Sequence, residues 1–280
     1  MFDVKQYRRK EKERKRVESL LQMLPPAGHA ADNASGGTAD SVAEQSVQLA
    51  DREGVQTVLE VGCRDGYITC LLAERFPRVT ALDLHLPAIE HPRVMCVQGD
   101  VTGLEFASRS FDLVVCTEVL EHIPAEKLEV ACEELLRVTR RYLLIGVPYK
   151  QDLRVHAMRC VHCGTINPTT GHVHSFDRER LLSLFGDRPF SRLDFAGKGV
   201  YKTNRLSHAL YKRFGFPYGS YEQEEPCVHC GAKLVKPKLP FFSRMACLLA
   251  KGLEFIQNKT GPDKSPVWIH MLWDFTEQET

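Results

Sequence analysis

Two identical pentapeptides bring four cysteines into pairs whose spacing suits metal binding. The first is Cys160-Val-His-Cys-Gly164 and the second is Cys227-Val-His-Cys-Gly231. Two residues between the cysteines let both thiolates face one ion, and the glycine that follows permits a tight turn. Two such pairs predict a tetrahedral zinc site, with the ligands Cys160, Cys163, Cys227 and Cys230. Since four thiolates leave no open position for water, this zinc is expected to be structural.

Other uses of these cysteines are weaker interpretations. A redox pair would not need duplication, and disulfides fit poorly with a chain that lacks a secretory signal. His156 or His174 replacing one cysteine as a ligand is a further alternative. The other six cysteines fall singly in predicted elements and are expected to be reduced core residues: Cys63, Cys70, Cys96, Cys116, Cys132 and Cys247.

A second group of chemically useful residues follows the ends of predicted strands. Residues 57–61 form an apolar strand that runs into a turn with Gly62 and Gly66, after which apolar residues recur at helical spacing. Such a turn lets backbone approach a nucleotide closely. The next strand, 79–83, ends in Asp83, about 20 residues after the turn, where an acid can hold ribose hydroxyls.

Two further strands end in the same way. Residues 93–97 lead to Gly99-Asp100, and residues 111–116 lead to Thr117-Glu118. Parallel strands place their carboxyl ends at one edge of a sheet, so these polar groups are expected to meet there. Beyond them, the sequence predicts strands at 141–147, 191–196 and 267–275, a helix starting at Pro124, and a helix at 177–185.

This order of features resembles class I S-adenosylmethionine-dependent methyltransferases, in the broad group that acts on small molecules and glycans. The likeness covers roughly residues 57–147, including Glu118-Val-Leu-Glu-His122-Ile-Pro124. It implies an α/β fold with a doubly wound, mostly parallel, seven-stranded Rossmann-like sheet. The last strand would run antiparallel at the sheet edge, and the zinc-bound segments would be insertions on the substrate side. The implied cofactors are S-adenosyl-L-methionine and structural Zn²⁺.

The resemblance also implies which residues contact the cofactor. Its methionine part would meet Glu60, Gly62, Cys63 and Gly66, and its ribose would meet Asp83 and Leu84. The adenine would meet Asp100 and Val101, and Thr117 and Glu118 would form the floor of the site.

One position departs from that family, which usually has a glycine where this chain has Arg64. Arginine adopts a left-handed backbone less freely than glycine. With ordinary backbone angles and an outward guanidinium at Arg64, cofactor binding is expected to survive; otherwise the site would be weakened or vestigial. A nicotinamide dehydrogenase is a poorer match, because its G-x-G-x-x-G spacing differs from glycines four residues apart.

Methyl transfer mainly needs the acceptor to be held in line with the methyl group. A hydroxyl or amine acceptor also needs a base, and the candidates are Glu118, His122, His172 and His174. His172 matches a histidine that the resembling group carries in a G-H-x-x-x-F segment. The competing interpretations are a structural role for each histidine, a floor residue for Glu118, and helix capping by Glu121 with His122.

The chain divides into seven predicted segments: a basic amphipathic helix at 1–24, a flexible linker at 25–53, the cofactor-binding core at 54–149, a first knuckle and substrate loop at 150–176, a core helix and strand at 177–197, a second knuckle insertion with an amphipathic helix at 198–264, and the final edge strand and tail at 265–280.

Two amphipathic patterns lie outside the sheet. Val17, Leu20, Leu21 and Leu24 predict a helix that docks on the catalytic domain. The second pattern is expected to pack against the sheet or the zinc-bound insertion, with a partner or membrane surface as alternatives: Phe241, Met245, Leu248, Leu249, Leu253 and Ile256.

Composition favours a globular chain, and the resemblance implies a small-molecule, lipid-linked or glycan acceptor. The residues are 43% hydrophobic and the formal net charge is +1, so no global field favours nucleic acid, although a local contact stays open. The charged N-terminus and the absence of a long apolar run make the cytoplasm the default location, and no transmembrane segment is expected. The oligomeric state is not indicated. The competing class is an inactive, zinc-stabilised module that binds protein or RNA.

Overall fold

The computed structural model describes residues 10–27, 54–155, 157–186, 188, 190–199, 201–214, 221, 225–260 and 265–276. Residues 28–53 of the predicted linker, the first nine residues and His156 lie outside these ranges. The centre is a seven-stranded sheet in the order β3-β2-β1-β4-β5-β9-β8. Its strands are β1 (Thr57–Val61), β2 (Arg78–Asp83), β3 (Val94–Gln98), β4 (Phe111–Thr117), β5 (Thr139–Pro148), β8 (Phe190–Ala196) and β9 (Trp268–Asp274). The short strands β6 (Met158–Arg159) and β7 (Ile166–Asn167) pair in a separate two-stranded sheet.

The sheet is doubly wound and mostly parallel, as predicted. Strands β1 to β5 pair in parallel, whereas β9 pairs antiparallel with both β5 and β8. The prediction that the last strand forms the sheet edge is wrong, since β9 is inserted between β5 and β8. The reason lies in burial: β9 is buried along nearly its whole length, while β8 is buried only at Ala196 and exposes Ser191, Arg192 and Phe195, which suits an edge strand.

Helices cover both faces of the sheet: α1 (Glu11–Met23), α2 (Tyr67–Arg75), α3 (Leu128–Val138) and α4 (Arg178–Phe185). The helices α5 (Arg205–Phe214) and α6 (Phe241–Thr260) pack against each other. Apolar residues of α1 and α2 form one core cluster with Leu113 and Leu144 of the sheet. Apolar residues of α3 and α4 form another with Val114 and Ile145. Successive strand residues point to opposite faces, so the two layers follow from strand periodicity.

Local signals set several element ends. The Asp177 carboxylate accepts the Arg180 N–H at 3.0 Å and caps the start of α4, and Gly186 follows its end with φ +76°. The helix predicted to start at Pro124 begins later, since a 3₁₀ turn at Ala125–Lys127 precedes α3.

Helix α6 contradicts the prediction that its apolar stripe packs against the sheet or the cysteine-bearing insertion. Leu248, Leu249 and the rest of the stripe, apart from the partly buried Leu253, are exposed, whereas Cys247, Ala250 and Glu254 form the buried side. This side packs on α5, where Tyr211 meets Cys247 and Ala250. Small and polar residues let the two helices approach, and the large apolar side chains are left outside.

Among the described helices, none is both long enough and apolar enough to cross a membrane. All ten cysteines are free thiols in the structure. Cys63, Cys116, Cys132 and Cys247 are buried as expected, but Cys70 is exposed on α2, so the core assignment is wrong for that residue.

Candidate functional site

The turn after β1 has no room for side chains at its two glycines. Gly62 and Gly66 have φ values of +80° and +74°, which L side chains rarely adopt. A Cβ atom on Gly62 would lie 2.2 Å from Val119 Cγ2, and one on Gly66 would lie 2.6 Å from Ile89. The Gly66 N–H donates to the Cys63 carbonyl at 2.9 Å and closes the turn just before α2 begins. Burial raises the pKa of the Cys63 thiol to about 12, so this thiol is neutral.

Arg64 does not have ordinary backbone angles. Its φ is +48°, the left-handed conformation that the glycine of related sequences takes easily. The Arg64 N–H donates to Asp83 Oδ2 at 2.8 Å, which joins the turn to the end of β2. The loop therefore has the glycine-like geometry with an arginine in it, at a conformational cost of about 1–2 kcal/mol.

The ends of β2 and β3 lie side by side. The amide of Gln98 donates to the Leu84 carbonyl at 3.0 Å. Asp100 Oδ1 accepts the N–H and the hydroxyl of Thr102, both at 2.9 Å, and the backbone hydrogen bond lowers the pKa of Asp100. Val101 is buried, and Leu84 is exposed.

Glu60, Thr117 and Glu118 complete the predicted cofactor set. Glu60 is buried and accepts the Thr69 hydroxyl, so it is bound to α2. Thr117 is the last residue of β4. Glu118 follows with φ +59° and a buried carboxylate whose pKa is raised by burial, an effect that the nearby Arg16 guanidinium opposes. Helix α1 thus brings a cation to the end of β4.

A polar cluster lies just beyond Glu118. One ligand-capable atom from each of Glu121, His122 and His172 falls within 4.8 Å of the others. Neither Glu121 carboxylate oxygen meets a hydrogen-bond partner among the described residues, and burial raises the pKa of Glu121 well above its ordinary value. One carboxylate with two imidazoles can relay a proton or bind a divalent cation.

The two histidines of this cluster differ in exposure. His122 is exposed, and its ring meets the His172 ring edge-to-face with centroids 4.6 Å apart. His172 Nδ1 lies 2.7 Å from Gln151 Oε1; an amide oxygen only accepts, so Nδ1 donates and Nε2 keeps its lone pair. Burial, with a smaller effect of His122, lowers the pKa of His172 to about 3. Although His122 is exposed, desolvation by the groups packed around it also lowers its pKa.

His174, another predicted base, is held in place by both ring nitrogens. Nε2 donates to the Ile123 carbonyl at 2.8 Å, and Nδ1 accepts from the Arg180 guanidinium at 3.1 Å. The ring is buried, and its pKa is lowered by that burial. A neutral imidazole with both nitrogens occupied orients the loop before α4 and has no lone pair left for a substrate proton.

The four knuckle cysteines come together across about 70 residues of sequence. Cys160 Sγ lies 3.7 Å from Cys230 Sγ, and Cys163 Sγ lies 3.6 Å from Cys227 Sγ. Four sulfurs at zinc–sulfur distance around one tetrahedral ion would be about 3.8 Å apart, whereas bonded sulfurs would be about 2.0 Å apart. The sulfur positions therefore fit a tetrahedral thiolate site and exclude a disulfide.

The two knuckles repeat one another in their backbone bonds. Gly164 donates to the Cys160 carbonyl at 3.0 Å, and Gly231 donates to the Cys227 carbonyl at 2.9 Å. Both glycines have φ near +70°. Asn167 links the knuckles, since its Nδ2 lies 3.4 Å from Cys227 Sγ and its Oδ1 accepts the Val228 N–H. Hydrogen bonds from Thr165 lower the pKa of the Cys163 thiol to about 5, which favours the thiolate.

The knuckles belong to what we call the insertion region, residues 150–176 and 198–264. It leaves the sheet at the carboxyl ends of β5 and β8. Asp152 joins its two parts, because Oδ2 accepts the N–H and hydroxyl of Thr203 at 3.0 and 2.7 Å. His172 and its partner Gln151 also belong to the insertion region, which therefore contributes to the cluster of Glu121, His122 and His172.

A groove of about 440 Å³ opens between α1 and Tyr67, beside the glycine turn. Its lining includes Arg14, Glu18 and Gln22 of α1, and none of the ten predicted cofactor contacts.

Three site residues were missed by the sequence reasoning. Glu121 was assigned only a capping role, although its spacing from Glu118 and His122 places all three at one strand end. Gln151 and Arg16 carry no local signal, because they approach from a loop and from a helix far away in sequence.

Comparison with known proteins agrees with this geometry. Residues 59–142 match the family described as Methyltransferase domain. An uncharacterized methyltransferase of Mycobacterium tuberculosis is 35% identical over 77 residues, covering 25% of this chain and 39% of that protein. A probable S-adenosylmethionine-dependent methyltransferase of the same organism is 31% identical over 164 residues, covering 57% of each chain.

A ubiquinone biosynthesis O-methyltransferase of Idiomarina loihiensis is 37% identical over 92 residues, covering 29% of this chain and 37% of that protein. The matched region thus spans less than two thirds of each of these relatives. Within this chain it runs from β1 into β5, which are the strands that carry the glycine turn, Asp83, Asp100 and Glu118. This part of the chain is therefore the part that resembles a methyltransferase domain.

Proposed function

We propose that the protein is an S-adenosylmethionine-dependent methyltransferase that acts on a hydroxyl, amine or similar nucleophile of a small molecule, lipid-linked intermediate or glycan. The observation that carries the proposal is the match of residues 59–142 to the methyltransferase domain family. Its support in the fold is that the polar strand ends of this segment share one sheet edge, where open α/β sheets bind ligands.

In this proposal, the ten predicted contacts hold the cofactor along that edge. The side-chain-free positions Gly62 and Gly66 let backbone approach the methionine part, with Glu60 and Cys63 beneath it. Asp83 and Leu84 hold the ribose, and Asp100 and Val101 meet the adenine. One oxygen of Asp83 is bound to the Arg64 N–H, and its second oxygen can accept from a ribose hydroxyl.

The left-handed backbone of Arg64 departs from the condition under which binding was expected to survive, but in this proposal it does not weaken the site, because a glycine at this position would adopt the same φ without strain. The alternative of an inactive module rested on this position. It is not favoured, since the turn, Asp83 and Asp100 keep the arrangement that the cofactor needs. Thr117 and Glu118 form the floor in this proposal, with Arg16 balancing the buried charge of Glu118.

The chain's own contribution to the reaction is positioning and proton transfer. The cofactor, when bound, supplies the activated methyl group. His122 is the proposed base for the acceptor, because it is the exposed member of the cluster and its lowered pKa keeps the imidazole neutral. His172, which stays neutral, would hold the His122 ring in place through their edge-to-face contact, and the Glu121 side chain would stabilise the imidazolium that forms. His174 orients the surrounding loop.

We further propose that Cys160, Cys163, Cys227 and Cys230 bind one structural Zn²⁺. The support is their sulfur spacing and the paired backbone turns that present them. Zinc would join the two parts of the insertion region, which borders the acceptor side of the site. A four-thiolate site leaves no position for substrate, so zinc has no chemical part in methyl transfer.

A binding and labelling experiment tests the proposed activity. Zinc-loaded protein would be incubated with methyl-labelled S-adenosylmethionine and fractions of small molecules, lipid extracts and glycans, with His122→Gln as the matched variant. We expect one fraction to gain label with the wild type and to gain at least about a hundredfold less with His122→Gln, as befits loss of a general base. Labelling that is unchanged in His122→Gln would contradict the base assignment.

A further inference from the structure

Helix α6 presents a continuous apolar surface to solvent. Seven large apolar side chains are between 49% and 80% exposed, and we call them the α6 apolar face: Phe241, Phe242, Met245, Leu248, Leu249, Phe255 and Ile256. At the helical angle of about 100° per residue, they fall within an arc of about 140°. Isolated exposed apolar residues are common, but a contiguous patch of this kind marks a binding surface.

Polar bonds on the opposite side hold α6 in this orientation. The buried Glu254 carboxylate accepts the Ser207 hydroxyl at 2.8 Å and the Tyr201 hydroxyl at 3.4 Å. The side chain of Asn258 accepts the Lys202 N–H at 2.9 Å and donates to the Lys202 carbonyl at 2.7 Å. Rotating α6 to bury its apolar face would break these hydrogen bonds. The polar contacts of Glu254 and Asn258 therefore fix the apolar face toward solvent.

The segment that carries this face is rich in basic residues. From Lys233 to Lys259 the sequence has six basic residues and one acidic residue, Glu254, which is buried. By helical angle, Arg244 and Lys251 lie along one border of the α6 apolar face, and both are exposed. Helix α5 has basic residues and no acidic residue. Since the whole chain has a net charge of only +1, this concentration is local.

We propose that the α6 apolar face docks on an anionic membrane surface. Phenylalanine and leucine on one side with lysine and arginine at the border are the features of helices that lie in the lipid interface, where apolar burial and attraction to acidic lipids add. A second copy of the chain is a poorer occupant, because pairing two such faces would place like charges against each other. The docking itself does not depend on methyl transfer.

Docking also bears on the acceptor. Helix α5, the partner of α6, follows Thr203, and Thr203 binds Asp152 in the loop after β5. A docked α6 would therefore hold the acceptor side of the site close to lipid. Resting on the proposed function, this favours the lipid-linked acceptor over the other two classes.

Vesicle flotation tests the proposal with the full, zinc-loaded chain. Vesicles of phosphatidylcholine alone would be compared with vesicles that also contain phosphatidylglycerol, at low and high salt. We expect flotation with the acidic vesicles and much less with the neutral ones. Leu248→Glu with Leu249→Glu should weaken it at least about tenfold through lost apolar burial. Arg244→Gln with Lys251→Gln should weaken it about 30-fold, since each cation near the surface contributes roughly fivefold.

The matched control is Leu86→Glu, which changes a leucine that is 64% exposed on the other part of the chain and should leave flotation within about twofold. Zinc content and circular dichroism confirm that each variant is folded. Absence of flotation by the wild type, equal flotation with neutral vesicles, or flotation unchanged by the α6 variants would overturn the proposal. So would a wild-type dimer that Leu248→Glu dissociates without any vesicle binding. Flotation retained by Asp83→Ala separates this result from the proposed enzyme activity.

Discussion

The proposed cofactor-binding core, residues 54–149, which we call the cofactor half, and the insertion region are stabilised in different ways. The sheet from β1 to β5 carries two extensive clusters of buried apolar residues, one on each face. The insertion region has two small clusters, around Tyr211 and around Leu234, together with four thiols and a set of polar bonds. A large apolar core can stabilise the cofactor half by itself, whereas the proposed zinc ion would compensate for the small core of the insertion region.

The strongest way to break this comparison is to remove one zinc ligand. Cys160→Ser should abolish zinc binding and loosen the insertion region, because binding energy of about 10–16 kcal/mol for structural zinc is folding energy. The sheet should stay folded and should still bind S-adenosylhomocysteine. Metal analysis, hydrogen exchange and calorimetry on the same sample measure these three effects.

Cys70→Ser is the matched control, since Cys70 is an exposed single cysteine on α2. It should keep a full zinc complement. Equal zinc content in Cys160→Ser and the wild type would contradict the four-thiolate assignment, and unfolding of the sheet in Cys160→Ser would contradict the independence of the two regions.

A cavity in the core of the sheet should lower the stability of the sheet and leave zinc binding intact, which is the opposite of the effect expected for Cys160→Ser. Leu135 is fully buried on α3, so Leu135→Ala should lower the free energy of unfolding by about 2–5 kcal/mol while zinc stoichiometry stays unchanged. Leu206→Ala, at an exposed position of α5, should change stability by less than about 0.5 kcal/mol. Denaturant unfolding with metal analysis measures both; zinc loss from folded Leu135→Ala would mean that the core and the insertion region are not separable.

His172, which lies where the insertion region meets the sheet, should resist protonation. Burial lowers the pKa of His172 to about 3, so its imidazole should stay neutral down to that pH, and the unfolded chain, with a histidine pKa near 6.5, binds more protons between these values. Stability from this residue is therefore complete above pH 6.5 and lost as pH falls toward 3. Nitrogen NMR of the histidine rings should show Nδ1–H tautomer for His172, and His172→Gln should flatten the pH dependence of unfolding; protonation of His172 near pH 6 would contradict the buried placement.

The smallest effect is expected within the cofactor half, at Arg64. Glycine there should raise the free energy of unfolding by about 1 kcal/mol, because the arginine already occupies a left-handed conformation. Arg109→Gly relieves the same strain at a residue with φ +56° away from the glycine turn and serves as the comparison. S-adenosylhomocysteine affinity of Arg64→Gly should stay within about threefold of the wild type. A large loss of affinity would show that the guanidinium itself takes part in binding.

Much of the cofactor half could be predicted because its signals are local. Apolar runs that end in Gly62, Asp83 and Asp100 place strands and turns without knowledge of their neighbours, and the C-x-x-C spacing indicates the four ligands. The position of β9 inside the sheet could not be read in this way, since pairing order depends on contacts between distant segments. Periodicity identified α6 as amphipathic, but could not tell that polar bonds from Glu254 and Asn258 turn its apolar face outward.

The acceptor side was only partly predictable for the same reason. The sequence indicated His172 and His174, yet Gln151 and Arg180 decide their roles by occupying particular ring nitrogens. Glu121 could not be predicted as a member of the cluster, because its membership depends on its burial and on the contact with His172, which is about 50 residues away in the chain.

Calorimetric titration of S-adenosylhomocysteine into zinc-loaded, reduced protein tests the central claim most directly. We predict saturable binding by the wild type, and affinity about 10–100-fold lower in Asp83→Ala, which removes charge-assisted hydrogen bonds to the ribose. Glu74→Ala, the same loss of charge at an exposed site on α2, should bind like the wild type. Absence of binding by a folded, zinc-loaded wild type, or equal binding by Asp83→Ala, would contradict a cofactor site at this sheet edge.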